Sequence, residues 1–226
     1  MGMELRKVKS PVDIAMTVLS ILLMGGTMLF PDDRLHQILG LVLLALWICH
    51  TVLNYRWYAS LFKGKFSPYR VMQTVVNVGL ATWALLLMTS GIMMAWFLPF
   101  EVGPALGFAR TAHLVSSHWY YVFMCLHLGL HVRAIFSRMH VSSIKSSTLK
   151  VLLYILLAVV SVYGLYAFIA RGLWRYMFLM QQFFFFDFER GYILFALDYL
   201  SILTLIATAS HWLGKLLLPQ SLSSKA

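Results

Sequence analysis

The stretch HQILGLVLLALWICH, residues 36–50, sets thirteen residues, nearly all apolar, between two histidines. The hydrocarbon core of a bilayer, about 30 Å thick, needs roughly 20 apolar residues per helix. Extended to 35–53, the run reaches that length. Similar runs stand at 12–30, 71–98, 111–132, 149–170 and 191–213. The whole chain agrees: of its 226 residues, 61% are hydrophobic and 12% charged, where soluble domains hold about half and a quarter. The alternating ten-residue strands of a membrane β-barrel are not seen. The expected fold is all-α, a polytopic bundle of six transmembrane helices forming one domain over 1–226, without internal repeats or low-complexity linkers.

The net charge of +10 does not point to nucleic acid, because Lys and Arg stand beside the apolar runs, where they set membrane orientation. With the N-terminus inside, thirteen Lys and Arg fall on the inner side and five on the outer. Both termini are therefore expected in the cytoplasm, which an even number of spans permits. The first apolar run lacks a small-residue cleavage site and reads as a retained span rather than a signal peptide. Cys49 and Cys125 both lie in apolar runs, and no C-x-x-C-H sequence occurs, so any haem would be held without thioether links.

The histidines carry the functional signal. A second stretch, HLVSSHWYYVFMCLH at 113–127, repeats the fourteen-residue interval. Fourteen residues turn a helix about 1400°, close to whole turns, and rise about 21 Å. Each pair thus shares one helix face but is too far apart to share a metal. The second and fourth spans run in the same direction. His36 and His113 therefore share an outer level, and His50 and His127 an inner one. Two imidazoles on opposite sides of a flat ring fill both axial positions of a haem iron, and helical bundles enclose such cofactors. The expectation is two haem sites, His36 with His113 and His50 with His127. His131 also shares a face with His113 but stands about 27 Å from it by helical rise, a depth that does not match. His118, His140 and His211 read as hydrogen-bonded structural residues. Zinc wants three or four close ligands, which histidines at two depths do not offer.

With those residues in place, the chain resembles a bacterial family, the flavinylation-associated cytochromes. More distantly, it resembles the two-haem cytochrome b core of ferric reductases and NADPH oxidases. The likeness rests on His36, Gly40, His50, Leu53, Asn54 and Trp57, on LMTSGIMMAW in the third span and on LHLGLH in the fourth. It covers 13–132; spans five and six match less well. The resemblance implies two haem b groups in a four-helix core over 1–135, an electron-transfer role in the bacterial cytoplasmic membrane, and links to flavoproteins or quinones. The remainder, 136–226, would add two helices and an outer interfacial segment. No G-x-G-x-x-G fingerprint occurs, and few residues follow the sixth span. Electrons are thus expected to come from a quinol or a separate redox partner, whether a flavoprotein, an iron–sulfur protein or a cytochrome subunit. The competing readings are a transporter relaying protons through intramembrane histidines and a haem-free membrane anchor.

Several residues remain open at this level. Asp198, the one acid well inside a span, is either a proton or quinol site or a hydrated interfacial group. Arg34 and Arg110 beyond the outer histidines, and Asn54, Arg56 and Arg133 beyond the inner ones, are candidate partners of haem propionates, or simply flanking charge. Gly25, Gly40, Gly79, Gly91 and Gly129 would relieve crowding against a porphyrin or serve helix packing. The aromatic stretch RGLWRYMFLMQQFFFFDFER, residues 171–190, reads as an outer interfacial helix or as an extension of the fifth span.

Overall fold

A computed structural model describes residues 2–64, 66–97, 103–138 and 146–218. They form eight α-helices: α1 (Gly2–Leu23), α2 (Asp33–Leu53), α3 (Tyr55–Ala59), α4 (Pro68–Met93), α5 (Ala105–Arg138), α6 (Ser147–Ala170), α7 (Leu173–Met177) and α8 (Gly191–Leu216). Local chemistry explains several boundaries. The Asp32 side chain accepts from the Arg34 N–H and starts α2. Ser67 caps α4 with Pro68 in its first turn, and Ser146 caps α6. An N-cap oxygen satisfies a backbone N–H that has no partner inside the helix, and proline is tolerated there because its missing N–H would have none.

Four helices, α2, α4, α6 and α8, are long and apolar enough to cross a membrane, as expected of a multi-pass membrane protein. The long helices α1 and α5 fall outside that set. α5 carries His113, Ser116, Ser117, His118, His127 and His131 along its length. It can do so because protein covers it: α4 packs along one side, α8 along another, and α7 sits on it. α6 packs on the far side of α8, and α2 packs on α1. Buried side chains from several helices, among them Ile21, Leu87, Tyr121, Cys125, Phe195 and Ile202, form the core.

Close approach of α8 to its neighbours depends on two glycines. A Cβ at Gly129 on α5 would lie 2.4 Å from the Ala207 carbonyl oxygen, and one at Gly164 on α6 would lie 2.2 Å from that of Ser201. Small residues that let backbones approach are the usual contact in membrane helix pairs. Gly129 is therefore a helix-packing glycine. Gly79 also packs against protein, with Phe123 occupying the space its Cβ would take.

Two expected boundaries move. The first helix runs from residue 2 to 23 rather than 12 to 30: after Leu23 the chain turns through Gly26 at φ 63° into a short 3-10 turn, Thr27–Leu29. Nor does 171–190 extend the fifth span. α6 ends at Ala170, Gly172 takes a left-handed φ of 63°, and the five-residue α7 follows with Leu173, Tyr176 and Met177 buried. The rest of the stretch is irregular, with Phe178, Met180, Phe183 and Phe185 exposed. His140 lies outside the described residues.

Candidate functional site

The four singled-out histidines meet in two pairs. His36 on α2 and His113 on α5 have ring centroids 6.2 Å apart with planes crossed at 70°. His50 and His127 have centroids 6.3 Å apart and planes crossed at 77°. The rings span a space that backbones do not fill, because α2 makes little direct contact with α5. Gly40 lies one turn along α2 from His36, and a Cβ there would meet nothing within 4 Å.

The spacing can be compared with metal chemistry. A metal–imidazole bond of about 2.0 Å plus about 1.1 Å from nitrogen to ring centre, taken on both sides, separates opposed centroids by about 6.2 Å. Both pairs stand at that spacing. Hydrogen bonding decides which nitrogen is available. His50 Nδ1 is 2.8 Å from Asp13 Oδ1, and His127 Nδ1 is 2.8 Å from Asn77 Oδ1. His113 Nδ1 lies 3.3 Å from the Leu87 carbonyl and 3.4 Å from Ser90 Oγ. An acceptor at Nδ1 holds the proton there and leaves the Nε2 lone pair for a metal, the usual outer-shell support of a ligating histidine. His36 Nδ1 is buried without a hydrogen-bond partner. Each pair, one histidine from α2 and one from α5, stands at a spacing that could hold a metal, such as a haem iron, between the two rings.

Surrounding contacts fix α2 in place. At the N-terminal end of α2 the Arg34 guanidinium lies 5.0 Å from the Trp96 ring centre, and Gln37 Oε1 accepts the Trp96 N–H. At its C-terminal end Lys9 Nζ donates to Asn54 Oδ1, and Asn54 Nδ2 donates to the His50 carbonyl. Midway, Leu43 is buried, and Ser20 on α1 bonds the buried Tyr120 hydroxyl on α5. Gly91 serves the site by admitting His113, whose Cε1 would stand 3.2 Å from a Cβ there.

Other expected residues fall elsewhere. The His131 ring lies 4.7 Å from that of His127, one turn on along α5. His118 is a buried structural residue: Nδ1 meets the Leu114 carbonyl at 2.8 Å, and the ring stacks 4.5 Å from Tyr176. His211 borders a small cavity with Gly129, Arg133 and Lys215. Arg110 and Arg56 are exposed. Among the described residues no cluster of three or more His, Cys, Asp or Glu is placed to hold a metal ion.

Asp198 is not a hydrated interfacial group. It is fully buried, accepts from Arg171 Nε at 2.7 Å and from the Tyr163 hydroxyl at 2.5 Å, and has Arg190 Nη1 at 3.7 Å. The acid thus balances two arginines, at the C-terminal end of α6 and the N-terminal end of α8. Sequence reasoning counted Arg171 and Arg190 only as outer charge; their flanking of the two spans at the level of the acid was the signal. Asp13 and Asn77 were also missed as histidine partners. A polar residue inside an apolar helix is a visible flag, but its partner across helices is not.

A helical membrane bundle with two matched pairs of facing histidines is the class that fold and site define. No protein-family model, curated protein or solved structure matches the chain.

Proposed function

We propose that this protein is a di-haem b cytochrome that moves electrons across a membrane, between a quinol or redox-partner protein on one side and an acceptor on the other. In this reading the chain crosses the bacterial cytoplasmic membrane six times with both termini inside, α1 and α5 being the two further spans. The observation that carries it is the pair of ring separations, 6.2 and 6.3 Å, at two levels on the same two helices. The Nδ1 acceptors and the open space at Gly40 support it, as does the resemblance to flavinylation-associated cytochromes over the first four spans.

Bound haem would supply reversible one-electron chemistry at each level. The chain's own part is mechanical and electrostatic. His36, His50, His113 and His127 fix the metal positions, and Asp13, Asn77 and Leu87 orient three of the rings. The apolar faces around Leu43 and Trp47 keep water from the path between levels, and such burial tunes potentials. Each charge moved across the full membrane involves about 2.3 kcal/mol per 100 mV, so partner potentials and membrane voltage act together on the flow.

The test is direct. Protein purified from haem-replete cells should give a pyridine haemochrome of b type at two haems per chain. It should also give a reduced-minus-oxidised spectrum of low-spin, six-coordinate haem. A colourless protein would refute the proposal and return the proton-relay transporter or the membrane anchor.

A further inference from the structure

A cleft of about 300 Å³ opens between α3 and the start of α4, lined by Trp57, Ser60, Lys63, Arg70, Gln73 and Thr74 among others. None of these residues belongs to the histidine pairs. Two are cationic and none is acidic; the sequence holds no Asp or Glu from residue 34 to 100. Arg70 is held in place. Its Nη2 donates to the Ser60 carbonyl at 2.7 Å, and its guanidinium stands 5.2 Å from the Phe66 ring centre. The chain turns past it at Gly64, φ 85°, where a Cβ would lie 3.1 Å from Nη1. Lys63, Gln73 and Thr74 make no side-chain hydrogen bond or ion pair among the described residues. The cleft thus offers one fixed cation, one exposed cation and free amide and hydroxyl groups, a donor set suited to a phosphate.

Its position favours one source of phosphate. α2 ends at Leu53 and α4 begins at Pro68, and both helices are long and apolar enough to cross a membrane. The segment joining them therefore stands at headgroup level. Tyr55, Tyr58, Phe62 and Phe66 are exposed along it, as aromatic side chains are where membrane meets water. On α4, Val71 and Val75 are exposed beside the face that carries Arg70 and Thr74, an apolar strip for acyl chains that a soluble anion would not use. We propose, independently of the haem reading, that this cleft binds the headgroup of an anionic phospholipid. Its phosphate meets Arg70 and Lys63, and its chains lie along the exposed face of α4. Basic pockets among membrane helices recognise headgroups in this way.

The purified protein in detergent is titrated with phosphatidylglycerol and with phosphatidylcholine, and bound lipid is counted by native mass spectrometry. Each basic residue at a membrane surface favours an anionic lipid about fivefold, so two should give wild type a preference of about 25-fold for phosphatidylglycerol. Lys63→Gln, at an exposed position, should cut that preference about fivefold, and adding Arg70→Gln should abolish it. Arg56→Gln, exposed on α3 but outside the cleft, should leave it unchanged. The Lys63→Gln and Arg56→Gln pair decides the matter even if the Arg70 variant fails to fold. No preference in wild type overturns the proposal. So does an equal loss in Arg56→Gln, which would mean undirected surface charge. Displacement of the lipid by millimolar inorganic phosphate would make this a soluble-anion site and also overturn it. So would an Arg70→Gln protein that keeps the preference but loses haem, its cation then serving haem propionates.

Discussion

Removing the histidines singly and in pairs gives a sharp expectation, because the two levels are independent by distance. Fourteen residues of helix put them about 21 Å apart, beyond the roughly 7–10 Å over which substitutions usually couple. Within a level the rings stand 6.2 or 6.3 Å apart and would share one metal. His36→Ala and His113→Ala should each cost the outer haem, and His50→Ala and His127→Ala the inner one. Each single variant should therefore keep about one haem of two, since its level has lost one of two axial ligands. Doubles divide by geometry. His50→Ala with His127→Ala should lose no more than either alone, whereas His36→Ala with His127→Ala should lose both haems. His131→Ala should keep both, its ring lying 4.7 Å from that of His127 on the same helix. The assay is haemochrome content per mole of chain, with far-ultraviolet circular dichroism to exclude unfolding. A folded cross-level double that keeps one full haem, or a same-level double that loses two, would refute the pairing.

Three further expectations come from specific contacts. The planes crossed at 70° and 77° should give both ferric centres strongly anisotropic low-spin signals by electron paramagnetic resonance; an ordinary rhombic spectrum would mean the rings lie parallel when loaded. Gly164→Ala drives a Cβ against the Ser201 carbonyl and should cost about 1–3 kcal/mol as overpacking, whereas Gly40→Leu, facing open space, should leave thermal stability nearly unchanged but lower haem content. Asp198→Asn leaves two arginines without a counter-charge and should cost about 3–5 kcal/mol, the range for breaking a buried pair, read as a fall in melting temperature in detergent on the order of 10 °C.

Legibility in the sequence followed the strength of local pattern. The fourteen-residue interval was readable because it survives any detail of packing: equal spacing on two co-directional helices forces equal depth. Which rings face each other then follows, and the structure brings together His36 with His113 and His50 with His127. The bounds of α2, α6 and α8 lie close to the apolar runs because capping residues and charges stop hydropathy where they stop the helix. α1 was misplaced because its helix continues through Pro11 into a charged segment that hydropathy excludes. Asp198 was half-read for a different reason. An acid inside a span is conspicuous, but its burial depends on Arg171 from the end of α6 and Arg190 at the start of α8, 27 and 8 residues away. Those distances are set by the hairpin between the helices, not by any local motif.

The way α2 is held explains why the interval matters. A helix in lipid gains no hydrophobic energy by leaving lipid for protein, so packing and polar contacts must hold it. α2 exposes an apolar face, as at Ile38, Val42, Ile48 and Val52, and Leu43 is its one buried residue among those described. The side-chain contacts that fasten it gather at its two ends. Trp96 takes Arg34 and Gln37 at the N-terminal end; Asp13 and Lys9 take His50 and Asn54 at the C-terminal end. Each clasp sits at the level of one histidine pair. A change of one residue in the interval would turn one histidine about 100° from its partner while leaving the apolar run as long as before. Crossing the membrane would tolerate that change and a matched pair of sites would not. The equal intervals on α2 and α5 are therefore a constraint that membrane insertion alone does not impose.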